Sequence, residues 1–417
     1  MSFTHRNHYV PEWYQKRFLP DGGGKYFLLK LHPKVTKLPK GRSWTETSCN
    51  QWGPPRCFYE NDLYTTRFGT AENDDIETQL FGRIDSDGKA AVEHFTDYHF
   101  DARAEQALHD LMDYMDAQVL RTPRGLARIR KMTHSSDHNL SLLAMQQIRQ
   151  LHQTMWLECV WEVIDCGGSG IDLLASDNPV TFYNRAIFPG ARECAFPLEP
   201  DLALLGTQTL FPLRKDKLLV LTHLQFGRDP SYSPTTTRIN PRYFASTFFD
   251  MRSVITGSRK LDAEAVLKVN HIIKSRAHQF VAASTKEDLF PEKELGTTHW
   301  SKLGEREFLL PDPREIGFST AILAGYDDGR PAWGQDEYGR APRRNEMEDP
   351  NRARECQALH RRQKEWDTRC GPLDHTPTHL AGLGPTRKRS TPKPTRDPAP
   401  ADEPKPQSPA MPDDSMR

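Results

Sequence analysis

A chain of 417 residues with 56 basic and 56 acidic side chains carries no formal net charge, which excludes the strongly basic character of a dedicated duplex-binding protein. A hydrophobic fraction of 36% and a mean hydropathy of -0.71 lie below those of ordinary soluble domains, so polar sequence dilutes a folded part. The longest apolar runs, at 218–221 and 280–283, are far short of the ~20 residues of a membrane-spanning helix.

The N-terminal run His5-Arg6-Asn7-His8-Tyr9-Val10-Pro11-Glu12-Trp13-Tyr14-Gln15-Lys16-Arg17-Phe18 has no apolar secretory core, and the chain is read as cytoplasmic. Pro11 suits the first turn of a short helix, on which Tyr14 and Phe18 share a face. His8 then stands just before the helix, where a neutral imidazole can serve as base or metal ligand; the plainer reading is a hydrogen bond to the backbone. Gly22-Gly23-Gly24 is a turn before a strand-like run at 25–32, and neither a Rossmann nor a Walker loop is present. A first amphipathic helix is expected on Ala104, Leu108, Leu111, Met115 and Val119.

At its end stands Arg121-Thr122-Pro123-Arg124. Thr122 and Pro123 are an N-cap and first-turn pair for a further helix, so Arg121 and Arg124 flank a helix junction. Two guanidiniums there suit a phosphate or carboxylate; the plainer role is to pair with a buried carboxylate. A second, long helix is expected on Leu140, Ala144, Ile148, Leu151, Met155, Cys159 and Val163, closed by Gly167-Gly168, with Leu151 in its buried stripe. Short β-like runs follow at 171–174, 180–183, 202–205 and 218–222. Among them Ser176-Asp177-Asn178-Pro179-Val180 reads as a loop at a strand end, a place where a fold presents a catalytic carboxylate or merely turns. A third helix begins after Asp262 and carries Val266, Val269, Ile273, Ala277 and Phe280. Helices first, strands next and a closing helix define an α+β class: helix-rich first half, small mixed or antiparallel sheet in the second half.

The globular domain is expected over 1–325, a polar and partly ordered extension over 326–384, and a disordered tail over 385–417. The run 351–369 can form a basic helix but lacks a clear apolar stripe. The tail holds nine of the 32 prolines and no Leu, Ile, Val or aromatic residue, so it cannot offset its ordering entropy. Its Arg387-Lys388-Arg389 cluster reads more plainly as solubilising than as a nucleic-acid patch. The seven cysteines, Cys49, Cys57, Cys159, Cys166, Cys194, Cys356 and Cys370, contain no Cys-x-x-Cys pair, which excludes a zinc ribbon and a disulfide framework.

His8-Tyr9-Val10-Pro11 leading into Trp13-Tyr14 and Arg17-Phe18, then Arg121-Thr122-Pro123-Arg124, then Ser176-Asp177-Asn178-Pro179-Val180, then Phe211-Pro212-Leu213 and a final helix through 270–281, resembles the DUF4238 family of mainly bacterial proteins over about residues 5–284. The resemblance implies no activity, since that family's function is unknown, and no catalytic residues. The family often has His-His before Tyr-Val-Pro and Gln after it, where this chain has Asn7-His8 and Glu12. That departure weakens a two-histidine metal site.

Two functions fit the residues. The first is a binding module or pocket protein in which His8, Arg121 and Asp177 form a polar cluster, with Arg124, Asn178 and Ser176 as binding residues. The alternative is a nuclease-like hydrolase of the phosphodiester class, with or without a metal, in which His8 is acid/base, Asp177 a metal ligand or His-orienting carboxylate, and Arg121 stabilises developing negative charge. No motif assigns a metal, a cofactor or a partner, and the net charge does not indicate nucleic acid. Under the hydrolase reading the three residues share an open pocket; under the other they are closed to solvent.

Overall fold

Residues 210–213 and 218–221 are apolar at successive positions and buried on both faces of their strands. The computed structural model describes residues 6–371 apart from residues 38–42, 69–70, 239–250, 252–254, 258, 305–307, 319, 326, 328–330 and 339–349. These belong to one unit, Met1–Gly382; the second, Leu383–Arg417, lies outside the described residues, and with it the expected disordered tail at 385–417. The helices that matter are α1 Glu12–Gln15, α2 Gly82–Thr96, α3 Ala104–Arg121, α4 Pro123–Thr133, α5 His138–Gln147, α6 Leu151–Trp156, α7 Leu224–Arg228, α8 Ala263–Arg276 and α9 Pro350–Cys370. The strands are β1 Arg6–His8, β2 Tyr26–Lys30, β3 Cys49–Trp52, β4 Tyr59–Asn61, β5 Cys159–Asp165, β6 Ala175–Ser176, β7 Thr181–Asn184, β8 Thr207–Arg214, β9 Lys217–His223, β10 Ile255–Thr256 and β11 Phe280–Ala283.

One sheet has the order β7-β8-β9-β5-β10, antiparallel except for the parallel β10–β5 edge; a second, antiparallel throughout, has the order β6-β11-β2-β3. Because side chains alternate along a strand, Phe211, Leu213, Leu219 and Leu221 join a core with Val92, Leu111 and Met115 of α2 and α3. Leu210, Leu218 and Val220 point the other way and join Val266, Val269 and Ile273 of α8 together with Val281 of the second sheet. The class is α+β.

The first and third expected helices are present. Ala104, Leu108, Leu111, Met115 and Val119 are all buried on α3, and Asp262 caps α8 by accepting the Ala265 N–H at 2.8 Å. The long second helix is corrected. It breaks into α5 and α6 at Gln150, whose φ is +77°, and then becomes β5. Cys159, Trp161 and Val163 satisfy a period of two as well as Cys159 and Val163 satisfy a period of four, so spacing alone could not separate strand from helix. Leu140 and Leu151, assigned to the buried stripe, are 53% and 57% exposed, whereas Cys159 is buried as expected, but on a strand. The closing helix ends at Arg276, and Phe280 opens β11. Residues 171–174 form no strand; Asn270 holds them, accepting the Leu174 N–H at 3.0 Å and donating to the Asp172 carbonyl at 2.9 Å. Residues 202–205 contribute only the isolated bridge of Leu204 to Thr237.

The helix expected over 351–369 forms α9, and charge seats it more than an apolar stripe does. Arg228 of α7, wholly buried, donates to Glu337, to Glu355 of α9 at 3.2 Å and to the Tyr338 hydroxyl at 3.2 Å, and lies 3.9 Å from the centroid of the Phe318 ring. Arg352 adds a 2.6 Å bond to Glu337. The part of the extension carrying Glu337, Tyr338 and α9 is thus tied to α7 through buried ions.

The revised helix boundaries have a direct consequence for stability. Leu151→Ala is expected to leave the urea midpoint of the full chain within about 0.5 kcal/mol of wild type, as for other exposed positions. Trp156→Ala, which empties a fully buried site and removes the Nε1–H bond to Thr209, is expected to cost ~3–5 kcal/mol. Equal midpoints for the two variants would return Leu151 to the core.

Candidate functional site

The N-terminal segment docks through its aromatics. Pro11, at ψ 144°, stands just ahead of α1 and orients its first turn. Tyr14 then stacks on Phe211 at 5.5 Å and donates its hydroxyl to the Pro212 carbonyl at 2.6 Å, while Arg17 Nε donates to the Leu213 carbonyl at 2.6 Å. Buried Gln15 ties the segment to itself and to its neighbours: its Nε2 donates to the Val10 and Cys57 carbonyls at 2.7 and 3.2 Å, and its Oε1 accepts from the Tyr26 hydroxyl at 2.6 Å. His8 sits at the end of β1 opposite Tyr59, half-buried, with Nε2 3.7 Å from Glu12 Oε1. Burial lowers its pKa against the pull of Glu12, which favours the neutral ring.

The helix junction divides its two arginines between different partners. Thr122 caps α4 by accepting the Gly125 N–H at 3.1 Å, and a Cβ at Gly125 would overlap the Val119 and Leu120 carbonyl oxygens, so the tight junction requires glycine there. Arg121, at zero exposure, pairs with Asp85 of α2 at 2.7 Å and lies 5.0 and 5.8 Å from the centroids of the Phe81 and Tyr114 rings. With its amide nitrogen toward the Tyr9 carbonyl, Gln118 donates there at 3.1 Å and accepts from Arg121 Nε at 3.0 Å. Glu77 stands in the same cluster, beside Asn7, and burial pushes its carboxyl up to about 7 despite Arg121. Arg124 is committed elsewhere: Nε to Glu199 at 2.6 Å, Nη1 to the Arg276 carbonyl at 3.0 Å and Nη2 to the Leu198 carbonyl at 2.8 Å.

In the 176–180 loop, Asp177 is 1% exposed and accepts three backbone N–H groups, from His278 at 2.7 Å, Gln279 at 2.5 Å and Phe280 at 2.9 Å. It thereby joins the end of α8 to β11. Burial pushes its carboxyl up to about 6 against these donors, so it is ionised at neutral pH. Ser176 Oγ accepts the Asn178 N–H at 3.2 Å, and Asn178 Nδ2 donates to Glu199 at 3.0 Å.

The three segments therefore meet, but through residues other than those expected to carry chemistry. The Tyr9 carbonyl, next to His8, reaches Arg121 through Gln118, and Asn178, next to Asp177, reaches Arg124 through Glu199. Among the described residues no hydrogen bond or ion pair joins His8, Arg121 and Asp177 directly. Glu199, Arg276, Asp85, Gln118 and Glu77 complete the network; of these, Glu199, Arg276 and Asp85 were not singled out in the sequence, and Glu77 reads there only as a first-turn helix carboxylate. A polar residue set among core residues, such as Gln118 within the α3 stripe, is the signal that could have found them. Among the described residues no three His, Cys, Asp or Glu side chains are grouped to hold a metal ion.

An open groove of about 610 Å³ is lined chiefly by α2, α3 and the π-helical turn Ile76–Phe81; Arg121 and its cluster partners are not among its lining residues. Its polar lining includes Asp75, Asp87, Asp110 and Asp113 against Arg83 and Arg149.

Fold and network together define an α+β protein in which the buried Arg124–Glu199 contact joins two of the signature segments and the Gln118 amide joins the third. The family model described as "Protein of unknown function (DUF4238)" matches residues 6–287, and the chain belongs to that family. No curated protein and no solved structure matches it.

Glu77 makes a pH dependence testable. Its folded value of about 7 lies above the ordinary 4.5, so the folded state holds its proton more tightly and the associated stabilisation is lost as pH rises between those values. Urea midpoints measured at about pH 5 and about pH 8 should fall more with rising pH in wild type than in Glu77→Gln. Equal slopes would contradict the burial of this carboxyl.

Proposed function

We propose that this chain is a cytoplasmic binding protein, in which the His8, Arg121 and Asp177 segments are the frame and the groove lined by α2 and α3 takes the ligand. The observation that carries the reading is the contrast in access. Arg121 and Asp177 are closed to solvent with their polar atoms engaged, whereas the groove of about 610 Å³ is open and polar. Four carboxylates against two guanidiniums favour a cationic, hydrogen-bonding ligand. The seven cysteines are all free thiols, which fits a reducing compartment, and among the described residues no helix is long and apolar enough to cross a membrane. The hydrolase alternative draws less support: three N–H donors occupy the Asp177 carboxylate, which leaves it poorly placed to bind a metal or orient His8.

Spermidine is a suitable cationic probe. Titrated into the full chain and followed by amide NMR shifts, it should perturb α2 and α3, and Asp110→Lys should weaken the binding at least about tenfold. The same protein should not hydrolyse bis(p-nitrophenyl) phosphate with Mg²⁺, Mn²⁺ or Zn²⁺ added. Turnover abolished by His8→Ala or Asp177→Asn in a folded chain would overturn the reading in favour of the hydrolase.

A further inference from the structure

Tyr183 lies on β7 with its hydroxyl buried and unused. The residue is 2% exposed, and among the described residues its Oη has no hydrogen-bond partner. A buried hydroxyl left unpaired costs stability, which makes it a marker for a group that the chain meets from outside. The ring is fixed by Trp300, which it meets edge to face at 5.2 Å and whose Nε1 donates to the Asn184 carbonyl at 3.0 Å. Burial raises the hydroxyl's pKa far above neutrality against the pull of Arg185 and Arg276, so the group is a neutral donor.

The hydroxyl borders a cavity of about 20 Å³, enough for one water-sized group. Gly304 keeps the space open, since a Cβ there would stand 2.6 Å from Tyr183 Oη and 3.1 Å from Arg185 Cβ. Tyr183 and Arg185 thus flank one gap. Arg185 is the more exposed of the two; its guanidinium lies 5.9 Å from the centroid of the Phe226 ring and, among the described residues, makes no hydrogen bond or ion pair. Arg124 is the contrast, since every arm of it has a protein partner. No carboxylate lines the cavity among the described residues. The nearby Arg276 faces Glu199, so the uncompensated charge is that of Arg185. Apart from Gln208, whose Nε2 is taken by Thr222 and the Leu309 carbonyl, the rest of the lining is non-polar, chiefly Phe226, Phe308, Leu309 and Leu310.

We propose that the cavity between Tyr183 and Arg185 binds the carboxylate of a small apolar acid. One carboxylate oxygen enters the cavity and accepts from Tyr183 Oη. The other stays at the mouth and accepts from the Arg185 guanidinium, whose planar fork matches a carboxylate. The hydrocarbon part rests against Phe226, Phe308 and Leu310, where its apolar surface leaves water. A phosphate or sulfate fits less well, because it spreads its oxygens around a tetrahedron and has no hydrocarbon part to offer those residues. No covalent bond is made or broken. The cavity shares no lining residue with the groove of α2 and α3, so the two sites are tested independently. Gly304, Phe308, Leu309 and Leu310 stand beyond residue 287, where the family match ends, so the apolar side of the site is supplied mostly by the extension.

The test is calorimetric titration of the full chain with benzoate and, separately, butyrate, with benzyl alcohol and inorganic phosphate as controls. At least one carboxylate should bind, and both controls should bind at least about tenfold more weakly. Benzoate binding alone would mark an aromatic acid and butyrate alone an aliphatic one. Arg185→Gln should weaken carboxylate binding about tenfold or more, and Arg185→Lys should recover part of it. Tyr183→Phe should weaken it about fivefold or more while the thermal midpoint of the free protein stays level or rises, because the change removes a buried hydroxyl that no protein group uses. No binding of either carboxylate, phosphate bound as tightly, binding unchanged by Arg185→Gln, or a lower melt in Tyr183→Phe would overturn the proposal.

Discussion

A guanidinium taken out of water must meet a carboxylate, or its burial costs several kcal/mol; that constraint governs where the distant parts of this chain can lie. Arg124 reaches Glu199, the Leu198 carbonyl and the Arg276 carbonyl together. Its side chain therefore joins the start of α4, the segment before β8 and the end of α8, which are far apart in sequence. Asn178 closes the circuit by donating to the same Glu199. Arg228 plays the corresponding part for α9, and Arg121 for α2 against α3.

Such contacts are directional where apolar packing is not. The two faces of the five-stranded sheet can accept many arrangements of Leu, Val and Phe, and volume alone tolerates repacking. A planar fork that must find a carboxylate and two carbonyls at once tolerates few. Asp177 uses the same principle in reverse, gathering three successive backbone N–H groups and so fixing where α8 ends and β11 begins. The conformation of the loop, the turn after α8 and the edge of the second sheet are thus one decision.

Much of this was legible before the fold was known. The α3 stripe, the caps at Thr122 and Asp262 and the short strands at 180–183 and 218–222 follow from local chemistry, and all are present. The Arg121–Arg124 junction was legible as a place where buried carboxylates would be met. Which carboxylates was not, because Asp85 and Glu199 look like any acidic residue until long-range packing brings them inside. The failed long helix has a similar cause. Leu151, Met155, Cys159 and Val163 obey helical spacing, but β9 and β10 offer the Cys159–Asp165 segment strand partners on both sides, and no local signal reports those partners. His8 was read for its titratable ring, while its segment is held by Tyr14 and Gln15.

The account turns on whether the Arg124–Glu199 contact is a structural keystone, and a double-mutant cycle with Arg124→Met, Glu199→Met and the pair measures that most directly. Each single change should cost ~3–5 kcal/mol in urea unfolding, because it strands the other charge inside the protein. The double change should cost clearly less than the sum. Single changes costing under about 1 kcal/mol and adding without coupling would show the contact to be incidental, and the fold would have to be explained by its apolar layers alone.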